Sequence, residues 1–169
     1  MIESTKGARR EVIMPAATLV DLLGLARAAD ETVLREHGQS AGRLLAERLL
    51  SPEDRAASAR ALPTRLFWKR VGELFHSRGW GTLVHNDPGD AVGELRATDW
   101  IEAERPEASG SCAFTAGALQ GLLERVSGAR LEVEEVECRA TGGGACRFLF
   151  GSAPALAVAA RSGRSSPHA

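Results

Sequence analysis

Residues 110–151 read GSCAFTAGALQGLLERVSGARLEVEEVECRATGGGACRFLFG, and this stretch decides the fold while holding all three cysteines of the chain. Its first half has a helical pattern: Phe114, Leu119, Leu122, Leu123 and Val126 fall on one broad face at a period near 3.6. Ser127-Gly128 ends that helix, with Gly128 suited to the left-handed residue just past a helix terminus. The second half is a hairpin. A run rich in Val and Glu over residues 130–139 meets a Gly142-Gly143-Gly144 turn and returns through Cys146, Arg147, Phe148, Leu149 and Phe150.

Side-chain parity within the first strand carries the most local information. Leu131 and Val133 share one parity, Val136 and Cys138 the other, and a regular strand cannot set all four on one face. An extra residue near Glu134-Glu135, a β-bulge, restores the register and turns Glu135 toward the side that carries Cys138. Cys146 then lies across the glycine turn, and Cys112 opens the helix packed nearby. Three thiols and a carboxylate can converge. Two thiolates on a hairpin with a third ligand from another element suit tetrahedral zinc, although C-x7-C is not a standard zinc knuckle. Three buried thiols packed as small hydrophobes, or a Cys138–Cys146 disulfide, are the other readings. The third cysteine left over, in a chain without a secretory signal, argues against the disulfide.

The pattern Cys112, then Glu135-x-x-Cys138, then Cys146 closing a hairpin as CRFLF resembles the 4-vinyl reductase domain. That family includes the effector-sensing domains of phenol- and toluene-responsive transcription activators. Its fold is shared with the vesicle-tethering subunits of TRAPP particles. The resemblance implies that Cys112, Glu135, Cys138 and Cys146 ligate a zinc ion. It further implies that Trp100, beside Glu102, is the counterpart of the tryptophan that helps aromatic sensors hold an effector. Trp80 and Phe114 fall beside it as pocket candidates, and His76 is a candidate for the histidine that grips an effector hydroxyl. As a purely structural residue, Trp100 would instead be a core or lid tryptophan with its ring N–H on a backbone carbonyl.

The rest of the chain reads as the layer above this unit. Its 169 residues suit one domain. A formal net charge of −1 and 25% charged residues give no sign of nucleic-acid or anionic-membrane binding. No apolar run approaches the ~20 residues that span a bilayer. Residues 1–10 are polar, lack a secretory core and read as a flexible leader, so the expectation is a cytoplasmic protein with reduced thiols. Residues 11–14 form an edge strand or hydrophobic arm, and Pro15 suits a first helical turn. Leu19, Leu22, Leu23 and Ala26 stripe a helix over 16–29, and Asp30 caps a second that runs to about Leu50. In that second helix Gly38 and Gly42, with Ala41 and Ala46 close by, permit tight helix packing or the approach of a ligand or another chain.

Ser51 and Pro52 open a short helix ending near Leu62. Pro63 restarts an amphipathic one through Leu66, Phe67, Val71, Leu74 and Phe75 to Ser77. Gly79-Trp80-Gly81 breaks it, strands follow at 82–85 and 91–98 about a turn at 87–90, and 105–109 is a short polar loop. Beyond Gly151, residues 152–169 are rich in Ala, Ser, Gly and Arg and read as a mobile tail.

The expected architecture is α+β: N-terminal helices packed on a four-stranded antiparallel sheet made of two hairpins, with one domain over residues 11–151. The resemblance implies a homodimer paired through the N-terminal helices. Catalysis finds little support. The histidines at 37, 76, 85 and 168 are scattered, no phosphate loop or redox-cofactor fingerprint is present, and four protein ligands leave a zinc site no position for water. The expected function is binding of a small hydrophobic ligand, aromatic or tetrapyrrole, by a sensor or carrier domain with structural zinc. The alternatives are a dimeric scaffold without ligand and, behind it, a zinc-dependent enzyme.

Overall fold

The structure is a computed structural model and describes residues 16–50, 63–87, 91–104 and 111–161. The readings made for 1–15, 51–62, 88–90, 105–109 and 162–169 lie outside the described residues. Among the described residues, five helices and four strands make an α+β fold: α1 (Ala16–Ala29), α2 (Glu31–Leu49), α3 (Thr64–His76), β1 (Thr82–Asn86), β2 (Val92–Thr98), α4 (Ala113–Ser127), β3 (Glu132–Glu137), β4 (Cys146–Gly151) and α5 (Ala153–Arg161). Short 3-10 turns sit at Ile101–Ala103 and Arg139–Thr141. Asp30 caps α2 as its residue type predicts, accepting from the N–H groups of Thr32 at 2.8 Å and Val33 at 3.2 Å. Gly128 ends α4 with φ 68°. Among the described residues no helix is long and apolar enough to cross a membrane.

The two hairpins join through their inner strands, giving the antiparallel order β1-β2-β4-β3. Alternation then assigns the faces. Leu83, Leu95, Ala97, Val133, Cys146 and Phe148 point into the core, where they meet Val71 and Phe75 of α3 and Leu119 and Leu122 of α4. On the opposite face Arg147 joins Glu94 at 2.7 Å and Glu137 at 3.5 Å. This half-buried cation ties three neighbouring strands together and holds the Glu94 carboxyl below its usual range through their hydrogen bond.

Helix α2 lies against α4 at backbone distance, because each presents two glycines to the other. A Cβ at Gly38 would sit 2.2 Å from the Phe114 carbonyl oxygen, and one at Gly42 would sit 1.9 Å from that of Ala118. From the other side, a Cβ at Gly117 would meet the Arg35 oxygen at 2.0 Å and one at Gly121 the Gln39 oxygen at 2.1 Å. The small residues of α2 therefore serve packing inside the chain. Arg35 stitches the same layers together, donating to Gln120 and to the Val133 carbonyl.

Beyond Gly151, where the composition reads as a mobile tail, the chain forms α5 instead. Its alanines favour helix, and Leu156 and Ala159, three apart, bury against Val92 and Leu149 on the outer face of the sheet. The stripe is only two residues wide. That is too little for a periodicity reading to register.

Candidate metal centre

The bulge in β3 exists and lies one residue beyond its expected place. Glu135 pairs with Phe148 and Glu137 with Arg147, so Val136 is the extra residue. Val136 turns to the outer face, where it packs against the cluster of Val92, Leu149 and Leu156. Glu135 and Cys138 are thereby brought to the same site. The hairpin's turn is tighter than a glycine loop alone. A 3-10 turn at Arg139–Thr141 wraps the Cys138 carbonyl, which accepts from the N–H groups of Thr141 at 3.2 Å and Gly143 at 3.0 Å. Gly142 closes it with φ 100°.

The four predicted donors come together. One ligand atom from each of Cys112, Glu135, Cys138 and Cys146 lies within 4.8 Å of every other. Cys112 Sγ is 3.9 Å from Cys138 Sγ and 3.7 Å from Cys146 Sγ. A tetrahedron with Zn–S bonds of about 2.3 Å has edges of about 3.8 Å, so these separations suit a shared zinc ion without rearrangement. The three thiols are free and buried. Glu135 Oε2 accepts from the Cys112 N–H, while its Oε1 is buried without a hydrogen-bond partner. A buried, unpartnered carboxylate oxygen among three sulfurs is an atom held for a cation.

The charges say the same. Hydrogen bonds from Cys112 and Cys146 pull the Cys138 thiol down to about 2. Those with Cys138 and Cys146, followed by burial, push Cys112 far above the thiol range. Cys146 is lowered by Cys112 but raised further by Cys138 and burial, to about 12. Burial, then the neighbouring Cys138 thiolate, lifts Glu135 to about 8. Without a cation the cluster tolerates one thiolate and resists further ionisation. The main-chain N–H of Arg139 reaches Cys146 Sγ at 3.5 Å, an orienting contact for a ligand sulfur.

The aromatic candidates meet on the other side of the α4 N-terminus. Trp100 is fully buried, with its ring centroid 6.0 Å from that of Trp80 and 5.5 Å from that of Phe75. Trp80 stacks on Phe114 at 5.5 Å. The half-buried rings of Trp80 and Phe114 also pack against Leu19 and Leu23 of α1. His76 is exposed on the last turn of α3 and makes no ring contact with them. The indole N–H of Trp100 donates to Thr115 Oγ1 at 2.7 Å, a side-chain hydroxyl rather than a backbone carbonyl.

Sequence reading passes over two residues here, Glu102 and Thr115. Glu102 is 3% exposed, and it accepts from the N–H of Phe114 at 3.0 Å, the N–H of Thr115 at 2.8 Å and the Thr115 hydroxyl at 2.6 Å. The available signal is negative: Cys112 is a poor N-cap residue, so the cap of α4 has to come from elsewhere.

Residues 97–152 match the family model of the vinyl-4-reductase (4VR) domain. This segment is a 4VR domain. It contains β4, α4 and β3, the end of β2, and all four donors. The whole fold resembles the phenol-responsive sensory domain of the transcription activator PoxR, solved with phenol: TM-score 0.69, 16% identity, covering 90% of this chain and 83% of that one. A vinyl-4-reductase family protein from Methanocaldococcus jannaschii aligns with TM-score 0.55 and 21% identity over 83% of this chain and 82% of its own. A trafficking protein particle complex subunit 3 from Naegleria fowleri, covalently bound to palmitic acid, aligns with TM-score 0.54 and 14% identity over 80% and 93%. These likenesses establish a common fold around the 4VR segment. No curated protein sequence matches the chain.

Proposed function

We propose that this chain is a small-molecule-sensing domain whose C-terminal hairpin is clamped to α4 by a zinc ion on Cys112, Glu135, Cys138 and Cys146. The observation that carries the metal reading is the donor set itself, three sulfurs at tetrahedral separations with an unpartnered carboxylate oxygen among them. Four protein donors complete a tetrahedron, which makes the site structural rather than catalytic. Bound there, zinc supplies a cross-link between the start of α4 and both strands of the hairpin, and its binding free energy adds to folding. The reading belongs to a reducing compartment, where thiols stay available to a metal.

Sensing draws its support from the 4VR segment and from the fold shared with a phenol-responsive domain. The proposed ligand is small and hydrophobic, aromatic or tetrapyrrole, and its site is the Trp80–Trp100–Phe114 cluster, with His76 at the rim. One observation favours the scaffold alternative: these rings pack directly on one another, so a ligand must displace Trp80 or Phe114 to enter. Pairing of two copies through the N-terminal helices belongs to both readings, and the exposed Leu22 and Leu25 of α1 are consistent with it.

Phenol and protoporphyrin titrated into zinc-loaded protein, followed by calorimetry and indole emission, separate the two. Sensing predicts saturable binding of at least one of them, weakened at least tenfold in Trp80→Ala. No binding of either compound, by a dimer that persists on dilution, would establish the scaffold instead.

A further inference from the structure

The first turn of a helix leaves N–H groups without partners, and the side chain of the N-cap residue ordinarily accepts from the second or third of them. In α4 the N-cap is Cys112, and its side chain makes no capping bond. Its sulfur lies instead 3.9 and 3.7 Å from the other two cysteine sulfurs. The N–H groups it leaves open, those of Phe114 and Thr115, go to Glu102 at 3.0 and 2.8 Å. Glu102 belongs to a different element, the 3-10 turn Ile101–Ala103, and nothing on α4 itself provides this cap. Its negative charge at the positive end of the helix dipole is favourable.

Glu102 is held in turn. The Thr115 hydroxyl donates to its Oε2 at 2.6 Å and accepts the Trp100 indole N–H at 2.7 Å, so a buried chain of hydrogen bonds runs from Trp100 to the helix start. The remaining N–H at this terminus, that of Cys112, is taken by Glu135, itself one of the four donors.

We propose that Glu102 is a positioning residue for the metal centre: by capping α4 from outside, it releases the Cys112 thiolate from the capping role and fixes it for the ion. Without Glu102, the N–H groups of Phe114 and Thr115 have the Cys112 sulfur as the acceptor that N-cap geometry offers. A sulfur drawn onto the helix axis is lost to the metal. Thr115 acts one step further out, by orienting Glu102 and linking it to Trp100. The inference rests on the metal reading proposed above.

The test is zinc affinity by chelator competition, together with the visible and thiolate charge-transfer spectrum of the cobalt-loaded protein. Glu102→Ala is expected to weaken zinc about 10–100-fold, the usual effect of losing a group that orients a ligand, and to alter the cobalt spectrum. Thr115→Val shifts both in the same direction by a smaller factor, and Thr115→Ser restores wild-type values. Asp30→Ala, which removes the cap of α2, controls for lost stability and leaves affinity and spectrum unchanged. Should Glu102→Ala fail to fold, Thr115→Val decides. Wild-type affinity and an unchanged cobalt spectrum in both variants, whatever their melting temperatures, overturn the inference and make Glu102 a plain helix cap. Wild-type protein that takes up neither zinc nor cobalt overturns the metal reading itself, and this inference with it.

Discussion

Cys138→Ser is expected to abolish stoichiometric zinc binding and to lower the melting temperature of zinc-supplemented protein by roughly 8–16 °C. The estimate starts from mass action: a metal at about 1,000 times its Kd stabilises the folded state by about 4 kcal/mol. In a domain of this size each kcal/mol corresponds to about 2–4 °C. Cys138 is the informative ligand because it ends β3 and anchors the turn, so the site loses both a donor and the geometry of its neighbour Cys146. A serine hydroxyl is a near isostere and packs in the same space, which leaves the lost donor as the cause of the effect. Chelator added to wild-type protein should reproduce the shift, and chelator added to Cys138→Ser should do nothing more. Equal melting temperatures for the two proteins in zinc would rule out a stabilising metal.

The second large effect lies away from the site and runs against helix propensity. Gly42→Ala in the middle of a helix would ordinarily stabilise it by about 1 kcal/mol. Here the new Cβ would lie 1.9 Å from the Ala118 carbonyl oxygen and 2.8 Å from Leu122 N, both backbone atoms that cannot turn aside. Helix α4 must then move off α2, and α4 carries Cys112 at its start and Leu119 and Leu122 in the core. The expected cost is about 3 kcal/mol or more, at the upper end for overpacking, read from the midpoint of urea unfolding. Gly117→Ala, which meets the Arg35 oxygen from the other helix, should cost a similar amount. A stabilised Gly42→Ala would mean that the two helices are not in backbone contact.

What can be read in the sequence is whatever has a local period or cap. The stripe of Leu119, Leu122 and Leu123, the Asp30 cap, the Gly128 stop and the paired hairpins all follow from neighbours a few residues apart, and the structure has them. The metal donors are legible for a related reason. A parity conflict in β3 demands an extra residue, and that residue turns Glu135 and Cys138 together; the bulge itself falls at Val136, since registers are set by the partner strand β4. Pairings between distant segments leave no local trace. Gly38 and Gly42 stand out, but Gly117 and Gly121, the glycines they interlock with, look like ordinary small residues in a helix. Glu102 looks like an exposed acid beside Trp100, because nothing local shows that α4 takes its cap from the preceding turn. Helix α5 depends on two small contacts with the back of the sheet, a surface that exists only after the hairpins have paired.

Zinc-edge X-ray absorption on protein purified without chelator tests the central claim most directly. Cys112, Cys138, Cys146 and Glu135 around one ion predict one zinc per chain, with three sulfur neighbours at about 2.3 Å and one oxygen at about 2.0–2.2 Å. A chain free of zinc, or a shell of nitrogen and oxygen without sulfur, would contradict it.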